Sequence, residues 1–353
     1  MIAVATMRAV VQTGHGSIDE SLRLENVPVP RAGVGEALVR VRVTTLNRKD
    51  LFALANLSGP GIRPRPPLPH VSGGDAAGEI VEVGPGVDGW KPGDSVVAYS
   101  GLYCGCCEYC LAGETTACVR YGVVGEQTWG AHAEFVVVPA RNLERVPHDL
   151  AVERLACAGG SWTTAWRALV TVAAIRPGET VLVLGASGGV GSGSLRIAAR
   201  AGCRVIAAVG GQQKVARALK CGADAAFDHT ASPIGEAVRD FTAGRGVDVV
   251  LDSVGAATWR DSINALRPFG RLVVCGATSG DSPAISIREL YQSHRRILGA
   301  PLGNRLEFRQ VVNALVDGLI EPTMHDVLPL ARVHDALRLL DSRTFFGKIA
   351  LAP

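Results

Sequence analysis

Four cysteines, Cys104, Cys107, Cys110 and Cys118, are separated by two, two and seven residues, with Cys106 as an extra thiol inside the first interval. Thiolates at this spacing in a short Gly-rich stretch suit a tetrahedral, all-sulfur zinc site that is fully ligated and leaves no position open to a substrate. Its role would be structural, the metal standing in for a hydrophobic core that so small a lobe cannot build. The remaining cysteines of the nine lie singly in apolar segments, which argues for a metal and against a disulfide scaffold.

A second centre is the stretch Thr180 to Gly191, TVLVLGASGGVG, which reads as a buried strand entering a glycine turn. Ala186-x-Gly188-x-x-Gly191 is a dinucleotide fingerprint with Ala in its first position. Gly188 would let backbone N–H groups approach a pyrophosphate, Gly191 would let helix and strand pack closely, and the helix N-terminus supplies a favourable field for the anion. Ser187, Gly189 and Val190 complete the turn. About twenty residues on, an NAD-preferring site carries an acid for the ribose 2′-hydroxyl. This chain has Val209, Gly210, Gly211, Gln212, Gln213 and Lys214 there. With no acid to repel a 2′-phosphate and Lys214 able to pair with one, NADPH is favoured over NADH. The competing role for Lys214 is a solvated residue opening a helix.

The elements that must hold these centres change character near residue 150. The first part is rich in short apolar runs, at 37–43, 77–83, 95–99 and 133–138, bounded by Gly and Pro, as in a compact β unit. Its run GPGIRPRPPLP, Gly59 to Pro69, is excluded from helix and central strand and reads as a semi-rigid surface loop. From Thr180 onward strands alternate with helices expected at 189–201, 212–221 and 258–266. That is the pattern of βαβ units on a doubly wound parallel sheet, so the fold class is α/β. Two amphipathic helices (306–318 and 331–340) and a strand at 348–352 close the chain.

At 353 residues two domains are expected. Lys plus Arg total 36 against 33 for Asp plus Glu, a balance of +3 without a basic block, which gives no reason to expect nucleic acid as partner. A small-molecule substrate is the expected partner. No apolar run approaches the ~20 residues that span a membrane, and the N-terminus has no signal-peptide pattern, so a cytoplasmic location is expected.

Together with GAHAEFVVVPARNLERVP at 130–147 and GKIAL at 347–351, these motifs resemble the medium-chain dehydrogenase/reductase superfamily, which contains zinc alcohol dehydrogenases and zinc-free quinone oxidoreductases. The resemblance covers essentially the whole chain. It implies a GroES-like β-rich substrate domain at 1–160, to which 303–353 return, a Rossmann cofactor domain at 161–302, and an active site in the cleft between them. It implies a homodimer, with a tetramer left open. It also implies that Arg48, Thr164, Val254, Cys275, Gly276 and Lys348 join the glycine turn, Gly210 and Lys214 in binding the cofactor.

Zinc alcohol dehydrogenases of this superfamily hold a second, catalytic zinc on Cys, His and Cys. The corresponding places here read Asn47, Gly74 and Gly160, so all three ligands are lost. Without that Lewis acid, alcohol–ketone chemistry is disfavoured. Hydride addition to the β-carbon of an activated double bond asks less, because hydrogen-bond donors can stabilise the enolate and water can protonate the α-carbon. The expected function is therefore an NADP-dependent oxidoreductase reducing quinones, enones or enoyl thioesters, with one structural zinc. Asn47 resembles an asparagine that lies near the nicotinamide in quinone-reductase-like members, against a turn-capping amide. Lys49 takes the place of a proton-relaying hydroxyl and could donate to the substrate oxygen, against an exposed lysine. Phe52 excludes a tyrosine acid at its position. Two other readings stay open: a catalytic zinc on displaced ligands such as Asp50, His70 and Cys157, and a crystallin-like NADPH-binding protein without turnover.

Overall fold

The computed structural model describes residues 5–57 and 62–353, so 59–61 of the proline-rich loop fall outside the described residues. The chain divides into two compact units: Met1–Gly160 with Asn304–Asp317 and Met324–Pro353, and Ser161–Gly303 with Gly318–Thr323. Among the described residues no helix is long and apolar enough to cross a membrane.

The first unit is organised on the strand Glu36–Thr45, EALVRVRVTT. Strict alternation buries Val39, Val41 and Val43 and turns Arg40 and Arg42 to solvent, as the two-residue period of a half-buried strand requires. It pairs antiparallel with Ala76–Val83 and Phe135–Pro139, and its last residues pair with the closing strand Lys348–Ala352 (Ala350 with Thr45, Leu351 with Thr44). Continuing that register by two residues sets Lys348 opposite Asn47. Beyond Asn47 the chain turns into the helix Arg48–Leu54, where Asp50 accepts the backbone N–H of Asn47 at 2.7 Å as an N-terminal capping partner. The helix buries Ala53 and Leu54, the latter in a cluster with Val333, Leu337 and Leu351, so its position is fixed by the C-terminal segment.

The second unit contains a six-stranded parallel sheet in the order Ala225–Asp228, Arg204–Val209, Thr180–Val183, Val247–Asp252, Leu266–Val274 and Arg296–Gly299. Strand Thr180–Val183 is wholly buried, as a central strand covered on both faces should be. The helix Gly189–Arg200 follows the glycine turn as read from sequence. The segment 212–221 forms a 3₁₀ turn, Gln212–Lys214, leading into a short helix, Val215–Lys220. The strand expected at RLVVCGA begins earlier, at Leu266, and ends at Val274, whose pairing with Asp252 is closed by the Cys275 N–H bonding the Asp252 carbonyl.

Candidate functional site

In the first unit, Lys348 and Asp75 form the centre of a buried polar network. The Lys348 ammonium donates to the carbonyl of Leu46 at 2.7 Å and to Oδ1 of Asn47 at 2.8 Å, and lies 3.6 Å from Oδ2 of Asp75. Asp75 is fully buried and accepts from Thr45 Oγ1 at 2.5 Å, Asn47 Nδ2 at 2.8 Å and Ser100 Oγ at 3.2 Å. A buried carboxylate is tolerated when it is paired and its lone pairs are used. No motif in the sequence marked Asp75. Its partners are far apart in sequence: the register of Lys348–Ala352 against Glu36–Thr45 brings Lys348, and the pairing of Ala76–Val83 with Ser95–Ala98 brings Ser100.

The other two places that the resemblance sets against metal ligands, Gly74 and Gly160, are filled from the side. A Cβ added at Gly74 would collide with the ammonium of Lys49, and one at Gly160 would lie 2.8 Å from Oδ1 of Asp75. Lys49 is about a quarter exposed and forms an ion pair with Glu126 at 3.4 Å. Glu126 sits in the turn after the short strand Gly122–Val123, and no motif in the sequence announced it. Arg48 donates to the carbonyl of Leu340 at 3.1 Å and pairs with Asp341 at 3.5 Å, and partial burial pulls its pKa down. It is therefore anchored to the C-terminal helix Val333–Ser342.

The displaced ligand set does not assemble. Asp50 caps Asn47, His70 Nε2 is 3.0 Å from the carbonyl of Gly125, and Cys157 donates to the carbonyl of Arg154. Among the described residues the sole metal-ready group is Cys104, Cys107, Cys110 and Cys118, whose sulfur atoms all lie within 4.8 Å of one another. Cys104 and Cys110 are 3.9 Å apart, against about 3.8 Å for the edge of a tetrahedron with Zn–S bonds of 2.3 Å. Backbone N–H groups of Cys106 and Cys107 point at Cys104 Sγ, and those of Cys104 and Arg120 at Cys118 Sγ. Those of Cys106 and Cys107 hold the Cys104 thiol well below the usual thiol range. The donor set fits zinc. Cys106 stands outside it, exposed, with the Arg120 guanidinium 3.6 Å from its sulfur.

In the second unit the expected cofactor residues gather at the carboxyl ends of the parallel strands, where open α/β sheets bind ligands. The Ala186 N–H bonds to the carbonyl of Ala208, fastening the glycine turn to the neighbouring strand, and Gly188 caps the helix Gly189–Arg200. A Cβ at Gly191 would strike the Gly185 carbonyl and the Ala186 backbone, so only glycine fits. Val254 touches the turn at Gly185, and Cys275 and Gly276 follow the strand Leu266–Val274. Thr164 lies in the helix Ser161–Trp166, which packs on the helix Gly189–Arg200 through Trp162 against Gly193. These features leave the cradle a dinucleotide pyrophosphate needs. Lys214 is nearly buried beside Gly211. An acid absent from the sequence window is supplied by the adjacent strand: Asp228 accepts from the N–H groups of Gly211 and Thr230 and from Thr230 Oγ1, which draws its carboxyl down to about 2.

Two family models match the chain, the alcohol dehydrogenase GroES-like domain over residues 33–148 and the zinc-binding dehydrogenase domain over 189–317. An NAD-dependent alcohol dehydrogenase of Sulfolobus acidocaldarius is 33% identical over 338 residues, covering 94% of this chain and 96% of that one. The chain belongs to the zinc-binding dehydrogenases, the medium-chain dehydrogenase/reductase superfamily. It is an oxidoreductase by that membership. A crotonyl-CoA reductase of Streptomyces avermitilis is 30% identical, covering 95% of this chain and 83% of its own. Among solved structures, an NAD-dependent alcohol dehydrogenase superposes with a TM-score of 0.91 at 37% identity, covering 98% of this chain and all (100%) of its own. A 2-octenoyl-CoA carboxylase reductase, in complex with NADP and 2-octenoyl-CoA, superposes with a TM-score of 0.87 at 26% identity, covering 98% of this chain and 87% of its own.

Proposed function

We propose that this protein is an NADPH-dependent reductase of carbonyl-conjugated C=C bonds, with one zinc held by Cys104, Cys107, Cys110 and Cys118 and no metal at the reacting centre. The observation that carries the reading is the refilled ligand set. Asn47 is bound to Lys348 and Asp75, the ammonium of Lys49 occupies the space beside Gly74, and Asp75 occupies the space beside Gly160. The donors remaining there are nitrogen cations and an amide, which suit an oxyanion better than a metal.

Bound NADPH would supply the hydride for the β-carbon of the substrate. Lys49 donates a hydrogen bond to the carbonyl oxygen as negative charge spreads onto it. Glu126 orients the Lys49 ammonium until the substrate oxygen takes its place as acceptor. The Asn47 amide has both donor hydrogens and one acceptor lone pair committed to the network, so its remaining lone pair can accept one bond from cofactor or substrate. NADPH is favoured over NADH by Lys214 at the strand end. Asp228 weighs the other way, because its three donors all bond Oδ1 and keep the carboxylate charged, so the preference rests on Lys214 and on the NADP-bound relative. The relatives include named enoyl-thioester reductases, one solved with NADP, which supports both choices.

Zinc alcohol dehydrogenase is the competing reading, favoured by the Sulfolobus relative. Oxidation of NADPH and NADH against enoyl thioesters, enones, quinones and aldehydes, with zinc counted on the same preparation, separates the two. Enoyl or quinone reduction with one zinc per chain supports the proposal. Alcohol oxidation with two zinc ions per chain would overturn it, and tight NADPH binding without turnover of any class would leave a binding protein.

A further inference from the structure

The proline-rich loop that is fastened to the turn carrying Glu126 bears Arg63 and Arg65. The fastening is by Gln127: its Nε2 donates to the carbonyl of Pro64 at 3.2 Å, while its Oε1 accepts from the Val123 N–H at 2.8 Å. At the loop's far end, His70 holds the Gly125 carbonyl of the same turn. The Arg63 guanidinium lies 5.5 Å from the centre of the Tyr121 ring, just before that turn. Arg65 is half-buried and bonds the Leu57 carbonyl with one Nη1 hydrogen, and its buried Nε has no hydrogen-bond partner. Among the described residues neither guanidinium has a carboxylate partner, and the nearby carboxylate, Glu126, is committed to Lys49. The two arginines are thus without a carboxylate partner on a loop stiffened by Pro64, Pro66, Pro67 and Pro69.

Guanidinium groups held in place and free of carboxylates are suited to bind phosphate oxygens, and little ordering entropy is lost when the loop is already stiff. Building on the reading of the Lys49 site as that of an enoyl reductase, we infer that Arg63 and Arg65 recognise the anionic end of the substrate. The substrate class is then an enoyl thioester carrying phosphates, as in a coenzyme A ester, and not a neutral quinone or enone. Lys49 serves the reacting carbonyl while the two arginines serve the remote phosphates, so their binding energy appears in KM for the charged thioester.

The test compares crotonyl-CoA with crotonyl-pantetheine, which has the same reacting end and no phosphate, as substrates of the zinc-loaded enzyme with NADPH. The wild type should favour the CoA ester about tenfold or more in kcat/KM, and the preference should shrink as salt rises from about 0.02 to 0.3 M. R63Q/R65Q should raise KM for crotonyl-CoA about tenfold, leave its kcat within about twofold and leave crotonyl-pantetheine kinetics unchanged. That unchanged control also shows that the variant is folded, and R63K/R65K should recover most of the preference. Equal changes for both thioesters, or none for either, overturn the inference while leaving the reductase reading intact. A wild type that reduces enones or quinones but neither thioester also overturns the inference and leaves the reductase reading intact, whereas one that reduces none of these classes overturns the reductase reading itself.

Discussion

Replacing Lys348 by methionine tests whether the network beside Asn47 holds the first unit together as an ion pair. The substitution keeps most of the side-chain volume and removes the ammonium. Asp75, with no exposure to solvent, would keep three neutral donors, Thr45, Asn47 and Ser100, but lose the cation paired with it. The carbonyl of Leu46 and Oδ1 of Asn47 would each lose a donor. Breaking one side of a buried pair costs roughly 3–5 kcal/mol. The three remaining donors offset part of that, so about 3 kcal/mol is expected for K348M. D75N should cost somewhat less, because an amide oxygen can still accept from Thr45. The double variant K348M/D75N buries no unpaired charge and should be destabilised by less than the sum of the singles, with a coupling of about 1–3 kcal/mol.

Urea unfolding of the zinc-loaded protein measures this cycle. With a slope of about 3 kcal/mol per molar urea, K348M should lower the midpoint by about 1 M. If the two units unfold in separate steps, only the transition of the first unit should move. Additive single effects, or a shift under about 0.2 M for K348M, would refute the paired-charge account of this core.

Three further outcomes are expected. K49M should lower kcat with crotonyl-CoA by about a hundredfold or more with little change in KM, and K49R should recover part of it; unchanged kcat would remove Lys49 from the chemistry. C118S should abolish binding of the one zinc and make the 104–118 lobe sensitive to limited proteolysis, as followed by metal analysis and mass spectrometry of the fragments. Burial pushes the pKa values of His70 and His132 down, and His132 Nε2 has no partner. A folded pKa below the unfolded one means the unfolded chain binds the extra proton. Their contribution is therefore complete above the ordinary imidazole range and is lost as pH falls through it. H132F should flatten the drop in thermal midpoint between pH 7.5 and 5, His70 supplying the slope that remains, and an unchanged drop would exclude His132 as a source.

The parts legible in sequence were those whose cause is local. The cysteine spacing and the Ala186–Gly191 turn each sit within a few residues, where one ligand geometry or one close approach dictates residue type. The alternation in EALVRVRVTT likewise marked a strand because period two is a local property. The partners of Asn47 were not legible, because Lys348 is 301 residues away in sequence and meets it through strand register. Glu126 and Asp228 escaped for the same reason. Asp228 reaches Gly211 only because Val209 and Asp228 are paired on adjacent parallel strands, so a search confined to the end of one strand finds no acid. Lys348, expected from the resemblance as a cofactor contact, lies nearly fully buried with its ammonium turned to Leu46 and Asn47.

The three positions that the resemblance sets against catalytic metal ligands depend on one another here. Lys49 can extend over position 74 only while that residue lacks a side chain, and Asp75 can reach Ser100 past position 160 only while that residue is glycine. Asn47 in turn offers Lys348 an amide oxygen and Asp75 an amide N–H, two bonds of opposite polarity that a cysteine cannot supply together. Reverting one position alone should therefore damage the site without creating a metal centre: G74H drives an imidazole into the Lys49 ammonium, and G160C drives a sulfur onto the Asp75 carboxylate. A cobalt titration of G74H that showed tight binding of a second ion would mean that the network yields readily and that its present arrangement does not set the chemistry.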